Sequence, residues 1–196
     1  MMEERIDEFV RSVLLTSEKG AHSYDHTKRV YSLAMSIGSE AGANLRVLGA
    51  AALLHDIGRP REALTGESHS VISGEMSRPI LREVGYTEDE IELVVQAIGT
   101  HRFSEGLTPT SIEGEILSDA DKLDAMGAIG VFRAIAQASM TGVGIDGFLS
   151  HADEKLLKLH KLMYTKQAKT LAEKRHVVLD RFVNQLREEI QSNVEA

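Results

Sequence analysis

The sequence contains no cysteine among its 196 residues. This absence excludes disulfide bonds, thiol nucleophiles and cysteine-ligated zinc. A long apolar run is also missing, since the longest, Val47 to Leu54, is far shorter than the roughly 20 residues that span a bilayer. A formal net charge of −8 leaves no basic surplus for a nucleic-acid or anionic membrane surface. We therefore expect a soluble, cytoplasmic protein with neither nucleic-acid nor membrane partners.

Strand signals are nearly absent, and only three prolines interrupt the chain. The segment Arg59 to Gly66 is predicted to be a polar loop, and the glycine-rich segment Thr141 to Leu149 a flexible lid or substrate loop. We predict an all-α fold, with residues 1–196 forming one domain that is long enough to bury a core. Apolar residues recur at helical spacing over the following ranges: 3–17, Ser23 to Gly42, 44–57, 68–84, 88–102, 112–125, 126–140, 152–163 and 167–191.

One predicted helix organises the others. Its residues 47–54 are apolar almost all round, which is typical of a helix inside the core. The helix leads into His55 and Asp56, and we expect Gly58 to end it in the left-handed conformation, with Pro60 preventing its renewal. An ionised aspartate at the inner end of a buried helix is costly unless it is paired or binds a metal. The pattern therefore indicates a metal site.

Five further polar side chains lie on apolar helix faces. His26, His69 and His101 continue apolar stripes, and Asp121 shares a largely apolar face with Asp124. One histidine in such a place is most often a satisfied core residue, but several together, with no Arg or Lys on the same stripes, would leave desolvated polar groups unpaired. One divalent cation would satisfy them. Mixed nitrogen and oxygen ligands suit manganese, iron, cobalt, nickel or zinc.

The ordered set His26, His55-Asp56 and Asp121 resembles the H…HD…D signature of the HD-domain metal-dependent phosphohydrolases. The resemblance extends over about residues 20–135, followed by a helical extension over about 150–193. It implies a helical HD-domain fold in which these four residues ligate the metal. The chain also resembles a bacterial and archaeal branch of small HD proteins. That branch includes manganese-dependent enzymes that cleave (deoxy)nucleoside triphosphates to monophosphate and pyrophosphate, which implies Mn²⁺ as the cofactor here.

The resemblance also implies roles in catalysis. Asp56 is suited to bridge the metal and the attacking water. His69 or His101 would act as general acid or donate a hydrogen bond to phosphate. These two histidines fall where two-metal members of the superfamily keep additional histidines, so a second ion is the alternative. Lys122 would neutralise charge that develops on the phosphates.

Substrate binding would involve two arginines and one more carboxylate. Arg59 and Arg102 stand beside the motif and would contact phosphate, while Asp124 would either orient a metal ligand or contact a sugar hydroxyl. Some relatives place a Glu-Asp pair just after the His-Asp doublet. Here those positions read Arg59-Pro60-Arg61-Glu62, so no carboxylate general base can be carried over from them.

Two classes of function follow from these residues. The first is a phosphohydrolase acting on nucleotides, with a two-metal phosphodiesterase or monophosphatase on small phosphate esters as its variant. The second is a non-catalytic, metal-containing nucleotide-binding module. Intact ligands and nearby basic residues favour the enzyme. The protein is expected to be a monomer or a homodimer, and the long C-terminal helix is expected to pack on its own chain.

Overall fold

The computed structural model describes residues 2–15, 24–102 and 106–194. These residues form helices, turns and bends without a β-strand, which confirms the predicted all-α fold. The expected helix start at Ser23 lies outside the described residues. A 3₁₀ helix spans Leu156–Leu162. The α-helices are α1 Met2–Leu14, α2 Tyr24–Ala41, α3 Leu45–Leu54, α4 Arg59–Thr65, α5 His69–Glu83, α6 Glu88–Thr100, α7 Ile112–Asp124, α8 Gly127–Met140, α9 Gly144–Glu154 and α10 Lys166–Val194.

The chain divides into two compact units, Met1–Asp121 and Lys122–Ala196, and the division falls within α7. The first unit contains α1 to α6 and most of α7. The second contains the last turn of α7 and all later helices. The assignment of residues 1–196 to one domain stays a prediction.

Helix α3 forms the core of the first unit, where it contacts α1, α2, α5 and α6. Residues 47–54 are all buried, because the helix is covered on every side. Its N-terminus is capped by Asn44, whose side chain accepts hydrogen bonds from the backbone amides of Arg46 and Val47. The prediction of a buried α3 is therefore confirmed.

The turn after α3 differs from its prediction. Gly58 has φ −79°, in the right-handed region rather than the left-handed one. Pro60 lies in the first turn of α4, where its missing amide proton costs no helical hydrogen bond. The segment predicted as a polar loop is therefore mostly helix, since a proline that blocks one helix also starts the next. Gly58 is needed for packing instead: a Cβ there would lie 2.6 Å from the carbonyl oxygen of His69.

In the second unit, α10 packs against α8 and the 3₁₀ helix. The prediction of a flexible loop over Thr141 to Leu149 was wrong, because a turn with positive φ at Gly142 and Gly144 leads directly into α9. The predicted helix over 152–163 is likewise replaced by the end of α9 and the 3₁₀ helix. Among the described helices, none combines the length and apolar character needed to cross a bilayer.

Candidate metal centre

Helices of the first unit bring imidazole and carboxylate groups to one place. His26 lies in the first turn of α2, and His55 and Asp56 directly follow α3. His69 opens α5, and His101 directly follows α6. These five side chains are between 0% and 1% exposed. The histidine and aspartate positions selected from the sequence therefore meet inside the protein, although they come from distant parts of the chain.

The first group of potential ligands surrounds His26 Nε2. This atom lies 3.3 Å from His55 Nε2, 3.6 Å from Asp56 Oδ2 and 3.3 Å from Asp121 Oδ1. Atoms that bind one ion at about 2.0–2.2 Å lie about 2.8–3.6 Å apart in tetrahedral or octahedral arrangements. The separations therefore fit a single metal ion bound by His26, His55 and Asp56, and Asp121, the last residue of the H…HD…D pattern, lies beside His26.

Backbone carbonyl groups fix the rings of His55 and His101. His55 Nδ1 donates to the carbonyl oxygen of Ala52 at 2.9 Å, and His101 Nδ1 donates to that of Ile98 at 2.6 Å. A carbonyl oxygen only accepts, so each Nδ1 carries the proton and each Nε2 presents a lone pair. Burial lowers the pKa of both histidines. The rings are therefore neutral, as metal binding requires.

A second group of potential ligands shares Asp56 with the first. Asp56 Oδ1 lies 3.2 Å from His69 Nε2 and 4.0 Å from His101 Nε2, whereas Oδ2 faces the first group. Within the described part of the chain, neither Nε2 atom has a hydrogen-bond partner, and both are buried. An unsatisfied buried polar atom costs about 1–3 kcal/mol. A cation beside Asp56 would satisfy both histidines.

Arg59 and Arg102, which we expected to contact phosphate, are held by carboxylates. Arg59 Nε donates to Asp56 Oδ1 at 3.0 Å, and its Nη1 donates to Glu62 Oε2 at 3.2 Å. Arg102 Nη1 donates to Glu62 Oε1 at 2.7 Å. Asp56 thus has an arginine partner that the stripe pattern did not indicate, because Arg59 comes from α4, the segment predicted as a loop.

Sequence reasoning also missed Glu62, which contacts His69 as well as both arginines. Burial raises the pKa of Glu62, but hydrogen bonds from His69 and the charge of Arg59 outweigh burial and lower the pKa to about 2. Burial also raises the pKa of Asp121, but the hydrogen bond from His26 and the neighbouring histidines outweigh burial and lower that pKa well below its ordinary value. Both side chains are therefore carboxylates at neutral pH.

A family model of the HD domain matches residues 23–126. This chain belongs to the HD-domain family. The match includes every residue of both ligand groups, and His55-Asp56 is the doublet of the family pattern. The resemblance stated from the sequence is therefore confirmed at the level of the family.

Individual HD proteins align along most of the chain. It is 34% identical over 195 residues to the uncharacterized protein YpgQ of Bacillus subtilis, covering 95% of this chain and 93% of YpgQ. The crystal structure of YpgQ in complex with ADP has a TM-score of 0.79 at 30% identity, covering 96% and 97% of the two chains. An HD-superfamily hydrolase from Bacillus thuringiensis has a TM-score of 0.76 at 32% identity, covering 96% of both chains. The chain thus has the fold of HD-superfamily hydrolases.

A shorter similarity links part of this chain to a larger protein. Ribonuclease Y of Treponema denticola is 35% identical over 106 residues, which cover 54% of this chain but only 19% of that protein. The similarity is therefore confined to one part of ribonuclease Y.

Two further HD-segment residues that the sequence selected, Lys122 and Asp124, have partners within the second unit. Lys122 Nζ donates to the carbonyl oxygen of Leu162 at 2.8 Å and lies 4.4 Å from the ring centroid of Tyr164. Asp124 is fully buried and accepts a hydrogen bond from Arg133 Nη1 at 2.8 Å. These contacts stabilise the second unit, and the roles of both residues toward substrate stay predictions.

Proposed function

We propose that this HD-family protein is a metal-dependent phosphohydrolase that acts on nucleotides. The observation that carries the proposal is the convergence of His26, His55 and Asp56 at separations suited to one ion, with Asp121 beside His26. Neutral imidazoles with ionised carboxylates are ligands for first-row metals, with Mn²⁺ as the first candidate and iron, cobalt, nickel or zinc suited by the same atoms. When bound, such an ion polarises a phosphoryl oxygen and acidifies a water molecule.

The chain's own residues would prepare both substrate and water. Asp56 directs one carboxylate oxygen to each ligand group, so it can accept a hydrogen bond from a water molecule between them. Arg59, which contacts this carboxylate, and Arg102, which contacts Glu62, are partly exposed, and phosphate oxygens can replace the carboxylates that they now contact. His69 and His101 direct Nε2 to the same place, as ligands or as hydrogen-bonding groups.

Nucleotides are the proposed substrates for two reasons. The related protein YpgQ was crystallised in complex with ADP. The HD signature here also resembles that of manganese-dependent enzymes that convert (deoxy)nucleoside triphosphates to monophosphate and pyrophosphate. The acidic net charge does not oppose an anionic substrate, because a metal ion and two nearby arginines reverse the charge locally.

The test is turnover by metal-free protein reconstituted with Mn²⁺. Nucleoside tri-, di- and monophosphates and cyclic nucleotides are supplied separately, and phosphate and pyrophosphate are measured independently. We expect pyrophosphate from triphosphates. Asp121→Ala should lower kcat at least about 100-fold by removing a metal ligand, whereas Asp25→Ala, at an exposed position beside His26, should not. Full activity of Asp121→Ala would contradict the site, and absence of turnover would favour a nucleotide-binding module.

A two-metal phosphodiesterase or monophosphatase is the second candidate function, favoured by the group of Asp56, His69 and His101. One carboxylate shared by two ligand groups is suited to two ions that bind opposite sides of a phosphate ester. A metal content near two per chain, with phosphate released from monophosphates or cleavage of cyclic nucleotides, would support this variant. A content near one that is unaffected by His101→Ala would contradict it.

A further inference from the structure

The Glu62 carboxylate contacts His69 in three ways. It accepts hydrogen bonds from His69 Nδ1 at 3.0 Å and 3.1 Å, through Oε1 and Oε2, and from the backbone amide of His69 at 3.3 Å. Arg102 and Arg59 bind the same carboxylate from other sides. The side chain of Glu62, seven positions upstream, thus holds both the ring and the backbone amide of His69 in place.

Packing of α4 against α5 places Glu62 there. The backbone amide of Gly58 donates to Ser73 Oγ at 2.8 Å, which ties the start of α4 to the first turns of α5. The close approach of Gly58 to His69 leaves no room for a side chain. Glu62, in the first turn of α4, therefore faces the N-terminus of α5, where an anion is also favoured by the helix dipole.

His69 needs such a partner because of its position in a helix. His55 and His101 follow the last turns of α3 and α6, so each ring donates from Nδ1 to a carbonyl three residues upstream. His69 is the first residue of α5, and the residue three positions upstream, Gly66, lies outside that helix. The carboxylate of Glu62 provides the acceptor that its own helix does not.

The rings of His55, His69 and His101 consequently share one tautomer. Arg102 Nη1 also lies 3.4 Å from His69 Nδ1, but both carboxylate oxygens of Glu62 are nearer, at 3.0 Å and 3.1 Å. Because a carboxylate only accepts, Nδ1 carries the proton, and Nε2 presents its lone pair 3.2 Å from Asp56 Oδ1. In this tautomer, Nε2 can ligate a cation, but it has no hydrogen to donate to a phosphate oxygen. The identity of the acceptor at Nδ1 thus decides which role His69 can have.

We propose that Glu62 is a positioning residue that holds His69 in the Nδ1–H tautomer and directs Nε2 toward Asp56, which makes His69 a metal ligand. The inference rests on the two-metal variant of the proposed function only in requiring that Asp56, His69 and His101 bind a cation. Outer carboxylates that orient a metal-bound histidine typically change metal affinity 10- to 100-fold when they are removed.

The experiment compares Glu62→Ala and Glu62→Gln with Glu67→Gln, a control at an exposed glutamate of the following turn. Long-range ¹H–¹⁵N NMR of metal-free protein reports the tautomer of His69, assigned with His69→Ala. Electron paramagnetic resonance measures free Mn²⁺ during a titration and thereby gives the affinity of the protein for Mn²⁺. We expect Nδ1–H in the wild type and in Glu62→Gln, whose amide oxygen still accepts. Glu62→Ala should lose that tautomer and weaken Mn²⁺ binding about 10- to 100-fold.

A double variant tests whether Glu62 acts through His69. If it does, adding Glu62→Ala to His69→Ala causes no further loss of Mn²⁺ affinity. A further loss, or a Glu62→Ala protein with wild-type tautomer and affinity, would overturn the inference. Thermal unfolding checks the fold, and Glu62→Leu, which fills a similar space without an acceptor, carries the test with the same expected changes if Glu62→Ala does not fold. If the variants show the expected changes in tautomer and Mn²⁺ affinity but the wild type turns over no nucleotide, the proposed function is overturned and this inference is not.

Discussion

Replacing Gly58 by alanine tests the packing that joins the His-Asp doublet to α5. The added Cβ would lie 2.6 Å from the carbonyl oxygen of His69, 2.8 Å from the amide nitrogen of Ser73 and 2.9 Å from Ile72 Cβ. None of these atoms is the end of a flexible side chain. Since the φ of Gly58 is −79°, alanine can adopt the backbone conformation, and the cost comes from crowding alone.

The expected destabilisation follows from these contacts. Overpacking a rigid site costs about 1–3 kcal/mol, and weakening the buried hydrogen bond from the Gly58 amide to Ser73 Oγ costs about 0.5–1.5 kcal/mol more. The lower entropy of the unfolded alanine variant offsets about 0.4–1 kcal/mol. We expect a net loss of about 2–3 kcal/mol, which corresponds to a Tm lower by about 4–12 °C in a protein of this size.

Circular dichroism of metal-free protein during heating measures this effect. The matched control is Gly99→Ala in α6, where a Cβ meets no atom within 4 Å in the described structure. That control should leave Tm unchanged or slightly raised, because alanine favours helix. Retreat of α5 should also move His69 from Asp56, so Mn²⁺ affinity should fall in Gly58→Ala alone. A Tm within about 2 °C of the wild type would refute the packing argument.

Three further predictions concern stability. Metal-free protein should lose stability as pH falls below about 6.5. Burial lowers the pKa of His55, His69 and His101 in the folded protein, so the unfolded chain binds protons at a higher pH than the folded protein does. Each histidine lowers the free energy of unfolding by up to about 1.4 kcal/mol per pH unit. Arg133→Met should cost about 3 kcal/mol, because it removes the charged hydrogen-bond donor that contacts the buried carboxylate of Asp124. Thr87→Ala should cost about 1 kcal/mol by removing the capping box of α6.

Thermal unfolding checks all three predictions. His101→Gln should show a shallower dependence on pH, and a Tm that stays constant from pH 7.5 to 5.5 would contradict neutral buried histidines. Arg181→Met, at an exposed position of α10, is the control for Arg133→Met, and equal stability of these two variants would contradict the importance of the buried pair. Thr170→Ala, at an exposed position in α10, is the control for loss of the Thr87 cap.

Local patterns predicted the central helix and the faces of the histidines. Residues 47–54 lack a polar side, so α3 had to be covered on all sides, and contacts with four helices cover it. His26, His69 and His101 each continue an apolar stripe, and a stripe that packs inward carries its histidine inward too. The capping box of Thr87 and Glu90 is equally local, because it depends only on residues three apart.

Local patterns failed where a signal has two meanings. Pro60 is compatible with the end of one helix and with the first turn of the next. It was predicted only to end the helix before it. Because the segment was predicted to be a loop, neither α4 nor the ion pair of Arg59 with Asp56 was expected. The glycines of Thr141 to Leu149 indicated flexibility, whereas Gly142 and Gly144 make a tight turn into α9.

The sequence by itself determined the helical class, the buried α3, the HD pattern and the histidines that turn inward, because these depend on spacing within single helices. Only the tertiary structure decided which atoms meet. Three features arise between helices: the shared carboxylate of Asp56, the contact of Glu62 with His69, and the Nε2 atoms of His69 and His101, which lack a hydrogen-bond partner among the described residues. No local spacing encodes them, because the packing of α4 and α5 through Gly58 sets their distances.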